Sequence, residues 1–195
     1  MKEEFQGLLA GCSVSPEAAA AMESAGAEYR MPLVCGRRLE GPAVDALRGR
    51  PAAALFPDAF SPEGALAGLW LYLQDFEACH RVAQNLASSE GSYWHGILHR
   101  QEPDDWNAGY WFRAAGPHPI HGELLREARE LARLHSGAHW QPGASWDAGD
   151  FIRFCTRARR EPGSDAMELA RAVQMAEWRL LFRWCARMRG WSEGS

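Results

Sequence analysis

Between Ser61 and Gln84 the chain reads Ser-Pro-Glu-Gly-Ala-Leu-Ala-Gly-Leu-Trp-Leu-Tyr-Leu-Gln-Asp-Phe-Glu-Ala-Cys-His-Arg-Val-Ala-Gln. Its first three residues are helix-start chemistry: a hydroxyl able to cap free backbone N–H groups, a proline at the first helical position, and an acid in the first turn. Leu66, Leu69, Trp70, Leu73, Phe76 and Ala83 then recur at helical spacing and define one apolar face. This predicts a single helix from Ser61 to about Ser88.

The same periodicity extends towards the C-terminus. A helix is expected from Ser92, as cap, to about Gln101. It ends at Glu102-Pro103, because the residue before a proline is pushed out of helical geometry. Pro103–Pro119 reads as a loop rich in aromatic and charged residues. Further helices are expected over Ile120–His135, Trp146–Arg159 and Ser164 to about Arg189, the last closed by Gly190. Towards the N-terminus, Lys2–Ala10 and Pro16–Ser24 read as short helices, the second capped by Ser15. After these, repeated Gly and Pro break the chain. The expectation is an all-α, irregular helical bundle of about five main helices plus short N-terminal ones. Residues 1–60 form a loop-rich N-terminal segment and residues 61–190 the bundle core, treated as one domain.

Composition supports a folded chain. It has 195 residues, of which 47% are hydrophobic and 24% charged, enough for one core and unlike a disordered segment. No apolar run approaches the roughly 20 residues needed to span a bilayer. The start, Met1-Lys2-Glu3-Glu4-Phe5, is unlike a signal peptide. A cytoplasmic protein with no membrane partner is therefore expected. The five cysteines are widely spaced and contain no CxxC, so reduced thiols are the default. Nine arginines fall between Arg153 and Arg189, but Lys2 is the only lysine, so arginine carries nearly all the positive charge. Nothing matches a nucleic-acid-binding module, and nucleic acid is not an expected partner. Oligomeric state is not legible.

Helical geometry also indicates which polar residues turn inward. His80 falls near the centre of the first apolar face, flanked by Glu77 and Gln84. On the last helix Glu177, four residues after Val173 and four before Leu181, points along the apolar side with Gln174 nearby. A buried, unpaired carboxylate costs several kcal/mol or more. Glu77 and Glu177 therefore call for partners, water or a metal. His80 bonded to Glu177 would be the ordinary structural answer. Glu77-Ala-Cys-His80 has the spacing of carboxylate-bridged dimetal bundles, but the last helix does not repeat it.

Ser92–His121 is chemically the richest stretch. It holds His95, His99, His118 and His121 out of seven histidines. His95 and His99, four apart, project from one helix face. They can serve as acid–base groups, oriented by Glu102 or Asp105, or as two metal ligands. A third ligand would be His118, His80 or a carboxylate. Arg100 and Arg113 can clamp a carboxylate or phosphate. Asn107, Tyr110 and Trp111 offer hydrogen-bonding and stacking surfaces. Each residue also has a bland use: aromatic anchors for a loop, arginines paired with nearby acids.

The run Tyr93-Trp94-His95, His99-Arg100, Glu102-Pro103-Asp104, Asn107-Ala108, Tyr110-Trp111-Phe112-Arg113, Gly116 and His118-Pro119 resembles a family of uncharacterised bacterial and fungal helical proteins. The resemblance spans roughly Ala65–Pro119 and, more loosely, Trp146–Trp184. It implies no activity, since none is assigned to that family. Gln101 and Ala114 stand where the family tends to carry a second arginine.

Three readings follow. The first is a polar pocket for a small polar or anionic molecule, with acid–base or hydrolytic chemistry. Its candidate catalytic residues are His95, His99, Glu102 and Asp105. Its candidate binding residues are His80, Gln84, Arg100, Asn107, Tyr110, Trp111, Arg113, His118 and Glu177. The second is a non-enzymatic interaction module in which the segment is a buried latch. The third is a metalloprotein. The sequence commits to no cofactor; if a metal binds, His95 and His99 are its ligands.

Overall fold

The computed structural model describes residues 7–26 and 29–190. It is all-α, with no sheet among the described residues and only two isolated antiparallel bridges, Cys12 with Arg187 and Ala59 with Met188. Ten α-helices are numbered here: α1 Pro16–Glu23, α2 Pro42–Asp45, α3 Ala52–Leu55, α4 Pro62–Tyr72, α5 Phe76–Gln84, α6 Ser89–Gln101, α7 Asp105–Ala115, α8 His121–Leu134, α9 Ala148–Ala158 and α10 Asp165–Ala186. Residues 7–9 are also helical; the remainder of the Lys2–Ala10 expectation lies outside the described residues.

Local chemistry sets these boundaries. The Ser61 and Ser15 hydroxyls accept from the backbone N–H of Gly64 and Ala18, as their positions predict. Asp147 and Ser164 do the same for α9 and α10. Three expectations need correction. The Ser61–Ser88 helix is two helices, because the Asp75 side chain accepts from Ala78 N at 3.1 Å and starts a new one. Gln74, in the left-handed region at φ 60°, makes the turn between them. Ser92 is not a cap: Ser88 caps α6, which begins a turn early. Pro103–Pro119 is mostly helix, not loop. Asp104 accepts from Asn107 N and starts α7, whose Ala108, Phe112 and Ala115 are buried.

The core is built around α6 and α10. α6 lies between α5 and α7, with α4 also against it; α10 packs on α4, α8 and α9. A close approach at Gly96 fixes the α6–α7 crossing, since a Cβ there would meet the Phe112 ring at 2.9 Å. Trp178, fully buried on α10, stacks between Tyr72 and Phe182 and donates its indole N–H to Gly68 O at 2.8 Å. The N-terminal segment joins the same core through Ala18, Met22, Met31, Val44, Leu55 and Phe56. No helix among the described residues is long and apolar enough to cross a membrane.

Candidate functional site

α6 is buried on nearly every side, and two of its faces carry polar groups. On the face towards α10, Arg100 is wholly buried and its guanidinium is paired with Glu177, also wholly buried. Tyr93 donates its hydroxyl to the other carboxylate oxygen at 3.0 Å. Burial, and then the charge of Glu177, hold the Tyr93 phenol well above its ordinary pKa, so it remains a donor. The guanidinium also lies over the rings of Phe151 and Phe112. Glu177 is therefore satisfied by Arg100 and Tyr93 and not by His80. Its neighbour Gln174 donates to Pro32 O at 2.9 Å, tying the N-terminal segment to the same network.

On the opposite face, His95 and His99 turn towards α5 and meet His80 at its middle. One ligating atom from each of the three imidazoles lies within 4.8 Å of the other two. The His80 and His95 rings meet edge to face, centroids 4.8 Å apart, while those of His95 and His99 are near parallel at 5.9 Å. Trp111 of α7 covers His95, stacked at 4.1 Å and 11°. His95 is only 1% exposed, and neither of its ring nitrogens makes a well-formed hydrogen bond, the Gly91 backbone one turn earlier being a marginal partner at most. A buried polar atom left unmatched costs about 1–3 kcal/mol, so this ring needs an explanation. Burial, followed by the charges of His80 and His99, pushes the His95 pKa down to about 4. Its lone pair is thus available at neutral pH. His99 Nδ1 lies 3.0 Å from Glu102 Oε2, close enough to pair but out of line for a hydrogen bond.

The structure brings together His80, His95, His99, Glu102 and Trp111 from the sequence candidates. It places the others elsewhere. Asp105 accepts from Thr156 and pairs with Arg159 at 3.4 Å, so no histidine is its partner. Asn107 gives its amide to Asp104 at 2.6 Å. His118 is buried beside Glu90, 3.8 Å away, in a separate cluster with Trp184. Arg100 and Glu177 are consumed by each other. Gln84 and Arg113 are exposed, whereas Tyr110, half exposed, borders the cluster through Trp111. Glu77 does not turn inward: its side chain is 89% exposed and pairs with Arg81.

Sequence reading missed Glu90, which is buried and accepts from the Trp184 indole. Its place in the first turn of α6 was hidden by the misplaced cap. A cavity of about 430 Å³ lies apart from His80, His95 and His99, on the side of the His118–Trp184 pair, lined by Cys12, Ile120, Glu123, Arg183, Trp184 and Arg187 among others.

Compared with known proteins, the chain matches no family model, no curated protein and no solved structure. Function must therefore be read from the side chains.

Proposed function

We propose that this protein binds a divalent first-row transition metal through His80, His95 and His99. The observation that carries the reading is the convergence of three imidazoles around a buried His95 whose ring nitrogens make no well-formed hydrogen bond. A tetrahedral site with Zn–N bonds of 2.0–2.1 Å has ligand atoms about 3.3 Å apart. The three atoms here, within 4.8 Å of one another, need only side-chain rotation and a small inward shift to close on an ion. An all-imidazole donor set suits zinc, copper, nickel or iron and not magnesium or calcium, which prefer oxygen. Glu102 beside His99 is placed to orient that ring, as carboxylates commonly do behind metal-bound histidines. Three protein ligands leave a fourth position for water or a substrate atom, the arrangement of catalytic rather than closed structural sites.

Elemental analysis of protein purified from metal-supplemented culture tests this. About one equivalent of metal per chain is expected, falling to background in His95→Ala. Sub-stoichiometric metal in the native protein would sink the reading. A second reading has one observation in its favour, the His99–Glu102 contact. In it, His99 acts without metal as a general base oriented by Glu102. It leaves the unmatched His95 nitrogens unexplained.

A further inference from the structure

The outer surface of α7 continues the histidine cluster as a run of aromatic rings. Trp111 stacks on His95 at 4.1 Å. Tyr110 meets Trp111 edge to face at 5.3 Å. Trp106, one turn earlier, lies near parallel to Tyr110, with centroids 6.3 Å apart and planes 13° apart. Exposure rises outward: Tyr110 is 50% exposed and Trp106 is 75% exposed. Exposing a tryptophan to that extent leaves a large apolar face in water. Two such rings, one helical turn apart and leading to a candidate metal position, form a stacking platform joined to the site.

We infer that the ligand of the three-histidine centre carries a donor atom for the open metal position and an aromatic ring, which lies along Trp111, Tyr110 and Trp106. This rests on the metal-binding reading. An aromatic ring fits better than a sugar, because sugar recognition also needs several polar side chains to fix the hydroxyls, and most of those nearby are engaged, the exposed Arg113 apart. Asp104 and Asn107 bond to each other, Asp105 holds Thr156 and Arg159, and Glu102 faces His99. What the ridge offers is ring surface, which discriminates by stacking.

Cobalt(II)-loaded protein provides the test, since the visible spectrum of the ion reports a ligand entering its coordination sphere. The probes are acetohydroxamate, cyclohexanehydroxamate and 4-phenylbenzohydroxamate, which share a chelating head and differ in the ring. The aromatic probe is expected to bind roughly three- to tenfold tighter than the other two. That preference should disappear in a Trp106→Ala/Tyr110→Ala variant, while cobalt affinity and acetohydroxamate affinity stay unchanged. Both residues are exposed, so the variant is expected to fold. Equal affinity for all three probes overturns the inference while leaving the metal site standing. Equal gains from the saturated and aromatic rings overturn the aromatic assignment. Loss of a dimer in the variant, with the probe preference intact, would assign the ridge to a second copy of the chain and overturn the inference. Failure of the native protein to bind cobalt overturns both this inference and the metal-binding reading.

Discussion

The two polar faces of α6 solve the same problem in opposite ways. Towards α10, the charge of Arg100 is buried with a carboxylate, a phenol and two aromatic rings, and Glu177 finds a partner for each oxygen. Towards α5, three imidazoles gather, and the most buried of them makes no well-formed hydrogen bond. The helix is one and the depth is similar, yet one side is closed on an ion pair, with Arg100 Nε and Nη1 left against aromatic rings, and the other, around His95, is left open. The closed side holds three parts of the chain together: α6, α10 and the Pro32 segment. On the metal-binding reading proposed above, the open side is completed by an ion. A folded protein tolerates unmatched buried nitrogens at a cost, and metal ligands are a usual reason for that cost.

The largest expected effect lies on the closed face. Glu177→Ala should cost about 3–5 kcal/mol, because it leaves the Arg100 charge buried without a counter-ion. Urea denaturation measures it. An Arg100→Met/Glu177→Leu double variant should lose much less, since it removes both charges. If the double variant loses as much as the single one, the closed face is held by packing and not by the ion pair.

The open face should behave in the reverse sense. In metal-free protein, His95→Leu should change stability by no more than about 1 kcal/mol, since it removes two unmatched nitrogens and keeps an apolar side chain against Trp111. Zinc at a hundredfold over its dissociation constant should stabilise the native protein by about 2.7 kcal/mol. That gain should be absent from His80→Ala, His95→Ala and His99→Ala. Thermal denaturation with and without zinc reads the difference. A gain that survives in His95→Ala would put the ion elsewhere.

Acid should separate the faces further. His95 and His121 both have pKa values pushed down to about 4, chiefly by burial and then by neighbouring histidines. Below about pH 6.5 the unfolded chain takes up protons on these rings while the folded chain does not. Metal-free stability should therefore fall as pH drops from about 6.5 to about 4, and level off on this account below that. His95→Leu should flatten part of the slope, leaving the part due to His121. An unchanged slope would mean that His95 is not held neutral by the fold.

The smallest effect concerns Glu102. Glu102→Gln should weaken zinc binding by about tenfold, the lower end for a carboxylate behind a histidine ligand, with little change in folding. Competition against a chromophoric chelator measures it. No change would reduce the His99–Glu102 contact to a surface pair.

The difference between the faces also governs how much was legible in the sequence. Helical class and most helix positions follow from apolar spacing and from caps such as Ser15, Ser61 and Ser164. The break at Asp75 did not, because Leu73 and Phe76 keep helical spacing across it and no glycine or proline marks the turn. α7 was hidden by Pro103, which ends one helix but stands two residues before the start of the next. His95 and His99 were visible as a pair at four-residue spacing, and His80 as an inward residue on another helix. That the three meet depends on the α5–α6 packing, which periodicity does not encode. The partner of Glu177 was invisible for the same reason: Arg100 lies 77 residues away, on a helix face that looks amphipathic in no single direction.

X-ray absorption at the zinc edge of protein loaded with one equivalent of zinc is the most direct test of the three-histidine centre. Three imidazole nitrogens and one further light atom at about 2.0–2.1 Å are predicted. Sulfur at about 2.3 Å, which would bring in Cys35 or Cys79, or fewer than two imidazoles, would contradict it.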